Sequence, residues 1–227
     1  MSRLPSPCVC LVTNRKAVLP DARTDADAVA ALEGLIDDAL QAGMDLIQIR
    51  ERDLDARALQ ALVARVVGRA RGTDSRILVN DRADVAVAAG ADGVHLRTDG
   101  PSPSRMRELL APEVIVGRSV HSATEAREYP GADYLLFGTV FPSVSKPPDS
   151  PVAGLEDLRE TARAVRTPVL AIGGVTPESV SELRQAGAAG VAAISVFLPI
   201  GRAPSAMGVG AALDAFRAAW ASDPQNL

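Results

Sequence analysis

The chain has 227 residues, of which 47% are hydrophobic and 23% are charged, and its 24 basic and 28 acidic side chains give a formal net charge of −4. This composition supplies a full apolar core and excludes a disordered or fibrous chain. A pI near 5.3, with no stretch dense in Lys and Arg, argues against nucleic acid as the main partner, because such binding depends on neutralising phosphates.

The start of the chain and its cysteines indicate a cytoplasmic protein. The first seven residues lack the apolar run of a signal peptide, and no apolar stretch approaches the length of a membrane span. Cys8 and Cys10 lie two residues apart in a predicted strand, where a disulfide is geometrically poor. We expect two buried free thiols, no membrane partner and a reducing compartment.

Eight short apolar runs predict β-strands that alternate with helices along the whole chain. In order they are Cys8–Thr13, Asp45–Arg50, Arg76–Asn80, Gly93–Leu96, Val114–Val120, Tyr134–Val140, Pro168–Gly173 and Gly190–Val196. Apolar residues between them recur at helical spacing, as in Ala28, Leu32, Ile36 and Leu40. Almost continuously apolar strands are typical of parallel sheets that are covered by helices.

We therefore predict an α/β fold, a single-domain (β/α)₈ TIM barrel over residues 1–227 with its core at about 8–221. The alternative is a doubly wound open sheet, which would usually have a Gly-rich turn after its first strand. Here that strand ends in Thr13–Lys16, which contains no glycine. The Pro-rich loop from Phe141 to Ala153 is the expected position of a mobile lid.

A TIM barrel gathers its functional residues at the carboxyl ends of its strands, so the polar residues there are the candidates. In strand order they are Gln48, Arg50 and Arg52; Asn80 and Asp81; His95 and Arg97–Gly100; Ser119 and His121; Thr139, Ser143, Ser145 and Lys146; Gly173 and Gly174; and Ile194 and Ser195. The glycine pair and Ile194-Ser195 follow the last two strands, where many barrels bind phosphate through backbone N–H groups. We expect a small phosphorylated substrate.

The charged candidates admit two interpretations. Arg50, Arg52 and Lys146 either bind anionic ligand groups or belong to a structural ion-pair network. The partners in such a network would be Glu51 and Asp81. Asp81 itself either supports a metal-bound diphosphate or caps the following helix, and capping is slightly favoured.

The two histidines differ in position. His95 lies inside a strand and is predicted to be a buried core histidine whose hydrogen bonds are satisfied. His121 lies just past a strand end, between two serines, and is the best candidate for a general acid/base, although many loop histidines are inert.

A series of segments along nearly the whole chain matches one enzyme family. They are Gln48–Arg52, Asn80–Arg82, Gly90–Leu96, Gly117–Ser122, Gly131–Tyr134, Gly138–Pro142, Lys146–Pro147, Gly154–Leu155, Ala171–Pro177 and Gly187–Ser195. Together they resemble the thiamine phosphate synthase and thiazole tautomerase (TenI-like) family, which implies a TIM barrel that works in thiamine synthesis. By this resemblance, a synthase joins hydroxymethylpyrimidine diphosphate to a thiazole phosphate with Mg²⁺ and releases diphosphate. A tautomerase moves a proton on a thiazole carboxylate phosphate without a metal.

Few positions separate these two activities. By resemblance, the synthase binds Mg²⁺ through the Asp of the Asn-Asp pair and a second Asp in a Gly-Gln-x-Asp loop after the fourth strand. Asp81 is present, but the loop ends in Gly100 where the second ligand is expected. Losing a carboxylate weakens the hold on a hard divalent cation, unless Asp99 substitutes for it. Arg52 also replaces a common lysine, which changes the shape of the cation.

Ser119–Ser122 and the Ser102–Ser104 segment before Arg107 look more like the tautomerase, so our first hypothesis is a metal-independent tautomerase without a cofactor. Its residues would be His121 as general acid/base, Ser119, Thr139 and Ser145 orienting the substrate, Arg50 on the carboxylate, and Gly174, Ile194 and Ser195 on the phosphate.

The alternative hypothesis is the synthase, and a third is a non-catalytic barrel that binds thiazole phosphates as a regulator. In the synthase, Asp81 would hold Mg²⁺, with Asp99 as an additional ligand, and Arg50, Arg52, Asn80, Ser119 and Lys146 would bind diphosphate. All three hypotheses name small phosphorylated ligands as partners, and a homodimer is left open.

Overall fold

In the computed structural model the chain forms a closed barrel of eight parallel strands, and the structure describes residues 4–143 and 151–222. The strands are β1 (Cys8–Val12), β2 (Leu46–Ile49), β3 (Arg76–Asn80), β4 (Gly93–Leu96), β5 (Ile115–Val120), β6 (Tyr134–Gly138), β7 (Val169–Ile172) and β8 (Gly190–Ala193). Each strand pairs with the next, and β8 pairs with β1. The barrel prediction is confirmed, and the open-sheet alternative is wrong.

Helices surround the barrel. They are α1 (Arg15–Val18), α2 (Asp25–Gln41), α3 (Ala56–Ala70), α4 (Ala83–Ala89), α5 (Pro103–Leu109), α6 (Ala123–Glu128), α7 (Gly154–Ala164), α8 (Val180–Gln185) and α9 (Val209–Ala221). Short 3₁₀ turns at Pro177–Ser179 and Ser195–Phe197 follow β7 and β8. No described helix is long and apolar enough to cross a membrane. Seven residues of the expected lid, 144–150, lie outside the described residues, so the lid stays a prediction.

Side chains alternate between the two faces of each strand. On β1, Val9 and Leu11 pack outward against the helices, whereas Cys8, Cys10 and Val12 belong to a second apolar cluster inside the barrel. Further members of this inner cluster are Leu46, Leu78, Ile115, Tyr134, Leu136, Leu170 and Ala192. Both cysteines are buried free thiols, as expected. Burial raises the pKa of Cys10 to about 12, which makes it a poor nucleophile.

The one aromatic ring of the inner cluster lies against a glycine. A Cβ atom at Gly117 would come within 2.2 Å of Cζ of Tyr134, so the position accepts no side chain. We expect Gly117→Ala to lower the free energy of unfolding by about 1–3 kcal/mol, because the ring has no free space to enter.

Urea denaturation measures this loss, with Gly34→Ala in α2 as the matched control. Nothing lies within 4 Å of a Cβ at Gly34, so alanine there should stabilise the helix by about 0.5–1 kcal/mol. Equal stability changes of the same sign in the two variants would contradict the close fit of Tyr134 on Gly117.

Candidate active site

A cavity of about 540 Å³ lies at the carboxyl ends of the strands, within the size range of small-molecule sites. Its walls include most of the predicted residues: Gln48, Arg50, Arg52, Asn80, His95, Asp99, Ser119, His121, Thr139, Ser143, Gly173, Gly174, Ile194 and Ser195. Asp81 is not among the described residues that line it. Ser145 and Lys146 lie outside the described residues. The cavity is also lined by Arg97 and Thr98, which were candidates as part of Arg97–Gly100, and by Asn14, which was not among the candidates.

Two cations at the end of β2, Arg50 and Arg52, face this cavity. Within the described ranges, neither Arg50 nor Arg52 forms an ion pair. For Arg50 and Arg52 the structural network suggested from the sequence is wrong, because Glu51 is bound by Arg15 and Asp81 by Arg97. For Lys146, which lies outside the described residues, it stays a prediction. Burial, followed by repulsion from nearby Arg52, lowers the pKa of Arg50. These arginines are therefore available to an anionic ligand.

Glu51 belongs to a separate buried network around Arg15. The Arg15 side chain contacts Glu51 at 3.2 Å, Asp53 at 2.6 Å and Asp25 at 3.0 Å. Glu51 also accepts a 2.7 Å hydrogen bond from the hydroxyl of Thr13. The hydrogen bond to Asp53 is the main cause that raises the pKa of Arg15. This network joins β1 to the loop after β2 and holds the backbone that carries Arg50.

The floor of the cavity is polar and buried. The side-chain amide of Gln48 donates to Oδ1 of Asn80 at 3.4 Å, which leaves the NH₂ group of Asn80 to donate elsewhere. Nε2 of His95 lies 2.8 Å from Oγ of Ser119, and Nδ1 lies 2.9 Å from the hydroxyl of Tyr134. The chain from Tyr134 through His95 orients the Ser119 hydroxyl at the cavity wall. The core-histidine interpretation of His95 is confirmed.

His95 is expected to make stability depend on pH. Burial, then the charges of Arg50 and Arg118, lowers its pKa from 6.5 to about 3, so the folded state keeps the ring neutral. Since the unfolded chain binds a proton below pH 6.5, stability is full above that value and falls as the pH drops towards 3. Between pH 7 and pH 5 we expect this histidine alone to lower the free energy of unfolding by about 2 kcal/mol.

Urea denaturation of His95→Gln at the two pH values tests this expectation, because glutamine cannot titrate there. The variant should lose this part of the pH dependence. The chain has only two histidines, so the parallel variant His121→Gln shows whether the change in pH dependence belongs to His95. If the free energy of unfolding of His95→Gln changed with pH as much as that of the wild type, this would contradict a neutral, buried His95 ring.

His121 bridges two loops at the rim. Its Nδ1 contacts the carbonyl oxygen of Gly138, its Nε2 lies 3.1 Å from Oγ1 of Thr98, and its backbone N–H donates to Glu125 at 2.7 Å. Both ring nitrogens thus have protein partners. This arrangement suits a positioning residue better than a proton carrier.

Asp81 does not cap α4, so the capping prediction is wrong. Arg82 precedes that helix and makes no side-chain cap. Asp81 instead adopts a left-handed backbone conformation, with φ at 65°, and its N–H donates to the carbonyl of His95 at 2.8 Å. Its carboxylate then lies 3.5 Å from Nη1 of Arg97, while Nη2 of Arg97 binds Asp99 at 2.6 Å. Strained residues of this kind often occur at functional sites.

The residues around Asp81 do not suit Mg²⁺. Asp81 and Asp99 both contact the guanidinium of Arg97, so the two carboxylates already share a cation. A Cβ at Gly100 would lie 3.6 Å from Oδ1 of Asp81, so an acidic side chain at this position could share a cation with Asp81. Glycine has no such side chain. In the described part of the chain, no three His, Cys, Asp or Glu residues come together as a metal site. A hard cation that needs several oxygen ligands finds a poor donor set here.

The loops after β7 and β8 form a wall of the cavity that contains glycines and a serine rather than charged side chains. Gly173 and Gly174 have φ values of 102° and 62°, and a Cβ at Gly174 would lie 2.3 Å from the carbonyl oxygen of Pro142. Only glycine fits this close approach. Ser195, at the end of β8, accepts a 3.2 Å hydrogen bond from Ser205. Backbone N–H groups and a hydroxyl at this corner are the groups that commonly bind a phosphate.

Residues 12–197 match the sequence model of the family described as thiamine monophosphate synthase. The chain belongs to this family. It is 38% identical over 192 residues to the thiamine-phosphate synthase of Roseiflexus sp., covering 84% of this chain and 78% of that protein. It is 40% identical over 189 residues to that of Anaeromyxobacter dehalogenans, covering 82% and 85%. Thiamine phosphate pyrophosphorylase from Pyrococcus furiosus superposes with a TM-score of 0.76 at 32% identity, covering 94% and 95%.

Membership in the thiamine monophosphate synthase family, with relatives named as synthases, shows that the tautomerase hypothesis is wrong. Three of the serines that suggested it have structural roles, whereas Ser119 lines the cavity. Ser102 and Ser122 cap α5 and α6 by accepting 3.2 Å hydrogen bonds from backbone N–H groups, and Ser104 donates to the carbonyl of Pro130. Arg107 likewise ties α5 to the loop before β6 through Asp133. Helix capping by Ser102 and Ser122, and the loop contacts of Ser104 and Arg107, account for these residues whichever reaction the barrel performs.

Proposed function

We propose that this protein is a cytoplasmic thiamine-phosphate synthase that joins hydroxymethylpyrimidine diphosphate to a thiazole phosphate. The observation that carries the proposal is that one cavity has two kinds of anion-binding wall. Arg50 and Arg52 face it with no ion pair to any residue of 4–143 or 151–222, and the Gly173-Gly174 and Ile194-Ser195 corner faces it from the loops after β7 and β8. A reaction that joins a diphosphate to a phosphate needs two anion sites in one cavity, and two arginines suit the higher charge of the diphosphate.

In the reaction, the bond between the pyrimidine methylene carbon and the diphosphate oxygen breaks, and both electrons leave with the diphosphate. The lone pair of the thiazole nitrogen then forms the new carbon–nitrogen bond. Arg50, Arg52, Asn80 and Ser119 would hold the leaving diphosphate, because charge-assisted hydrogen bonds strengthen as negative charge develops. The glycine corner and Ser195 would hold the thiazole phosphate, with Thr139 and Ser143 beside the rings. No proton has to move, so the chemistry does not need His121 as an acid or base.

The family suggests the use of Mg²⁺, which would neutralise the diphosphate. Because the donor set at Asp81 and Asp99 does not suit that ion, the arginines of the chain itself would neutralise the diphosphate. Lys146 stays a predicted diphosphate ligand, and the oligomeric state stays open.

The test is to incubate the purified protein with the two substrates, in EDTA and in Mg²⁺, and to measure thiamine phosphate and released diphosphate by liquid chromatography. We expect one diphosphate for each thiamine phosphate. Binding of both substrates without product under either condition would refute the synthase and favour the non-catalytic regulator.

A further inference from the structure

Arg97 occupies the position between two carboxylates that a bound cation would need. Its side chain is 41% exposed and lines the cavity, while its Nη atoms contact Asp81 and Asp99. A guanidinium has five N–H donors, and these two contacts leave three of them. The carboxylates therefore fix the orientation of Arg97 without using up its capacity to bind an anion.

The loop that carries Arg97 is held from below by a second arginine. Arg118 is fully buried and donates to the carbonyl oxygens of Thr98 and Pro101 at 2.6 Å and of Gly100 at 3.2 Å. Its guanidinium also lies 3.9 Å from the ring centre of Tyr129. Three backbone carbonyl oxygens of the loop thus accept hydrogen bonds from Arg118. The loop therefore presents the guanidinium of Arg97 to the cavity, while these three carbonyl groups bind Arg118.

Arg97 also acts electrostatically on the diphosphate side of the cavity. The charge of Arg97 contributes, after burial and Arg52, to the lowered pKa of Arg50, which indicates that the three cations are close enough to repel one another. Such a cluster is costly when empty, and an anion with several negative charges relieves the repulsion.

We propose that the guanidinium of Arg97 takes the place of a metal ion in this enzyme and, with Arg50 and Arg52, binds the diphosphate group without Mg²⁺. This inference rests on the proposed synthase function. Asp81 and Asp99 are positioning residues that orient Arg97. As the carbon–oxygen bond breaks, the planar N–H fork of Arg97 stabilises the charge on the departing diphosphate by paired hydrogen bonds.

Isothermal titration calorimetry of the full chain with inorganic pyrophosphate, in EDTA, tests the proposal without turnover. We expect binding in EDTA, and we expect Arg97→Ala to weaken it by at least about tenfold, the effect of losing one charge-assisted hydrogen bond. The matched control is Arg105→Ala, because Arg105 pairs with Glu108 on the surface of α5, away from the cavity wall. Circular dichroism verifies that each variant is folded. Wild-type binding that requires Mg²⁺ would overturn the proposal.

A second variant tests the converse, that a metal site forms when the guanidinium of Arg97 is replaced by a carboxylate. Arg97→Gly combined with Gly100→Asp removes the guanidinium and places a carboxylate beside Asp81, where the Cβ of residue 100 would lie 3.6 Å from Oδ1. We expect this variant to bind pyrophosphate in EDTA at least about tenfold more weakly than the wild type, and to bind Mn²⁺ with pyrophosphate, seen by electron paramagnetic resonance. Mn²⁺ binding of equal strength in the wild type would overturn the proposal.

The synthase assay separates the two conclusions. Thiamine phosphate formation that occurs only with Mg²⁺ would refute the role of Arg97 and leave the synthase intact. Pyrophosphate binding in EDTA without thiamine phosphate formation in either buffer would refute the synthase while the cation site of Arg97 stands.

Discussion

Alanine at Arg50 is expected to lower kcat/KM for thiamine phosphate formation by about a hundredfold to a thousandfold, the usual effect of removing one preorganised donor to developing charge. The same substitution should leave the free energy of unfolding unchanged or raise it. Arg50 has no acidic partner among the described residues, and both burial and the neighbouring arginines oppose its charge, as its lowered pKa indicates. Its side chain therefore serves ligand binding at the expense of stability.

The matched control is Arg15→Ala, which removes a guanidinium from the same end of the barrel. Arg15 is bound by Glu51, Asp53 and Asp25, and its loss removes the ion-pair partner of the buried carboxylate of Glu51. We expect that variant to lose about 3–5 kcal/mol of stability. Steady-state kinetics and urea denaturation of both variants give the comparison. An Arg50→Ala enzyme that keeps wild-type kcat/KM, or that loses as much stability as Arg15→Ala, would contradict the assignment.

Much of the fold could be predicted from the sequence because the pattern of apolar residues along the chain decides it. The apolar runs marked all eight strands, with ends within three residues of those observed. The strand ends then located the cavity, since parallel strands in a barrel point their carboxyl ends to one rim. The same rule correctly placed Gln48, Asn80 and Ser119 in that cavity.

Side-chain pairing could not be predicted in the same way, because it depends on distances across the rim. Arg15, Arg97 and Arg118 look alike in the sequence, yet they form a structural network, line the cavity and support a loop, respectively. The charge pattern alone allowed Glu51 to pair with Arg50 as well as with Arg15. The error about the reaction had a similar origin, because a serine that caps a helix and a serine that touches a substrate have the same sequence signal.

The second large effect is expected at Gly174. Alanine there should raise KM for the thiazole phosphate by about a hundredfold, because shifts of about 1 Å in substrate position commonly cost this much. The new Cβ would lie 2.3 Å from the carbonyl oxygen of Pro142 and 2.8 Å from Cβ of Phe141, so the loop after β7 must move. Its positive φ of 62° adds a backbone penalty for any residue with a side chain.

Because the two anion-binding walls of the cavity are separate, Gly174→Ala should weaken binding of the thiazole phosphate and not of pyrophosphate. Pyrophosphate affinity should change by less than about twofold, because Arg50 and Arg52 follow β2, and well-separated sites seldom couple by more than a few tenths of a kcal/mol. Gly201→Ala is the matched control, since Gly201 also has a positive φ, of 87°, but nothing lies within 4 Å of its Cβ. Steady-state kinetics with each substrate varied in turn, and calorimetry with pyrophosphate, separate the two effects. Parallel losses for both substrates in Gly174→Ala would mean that one anion site, shared by phosphate and diphosphate, serves the whole cavity.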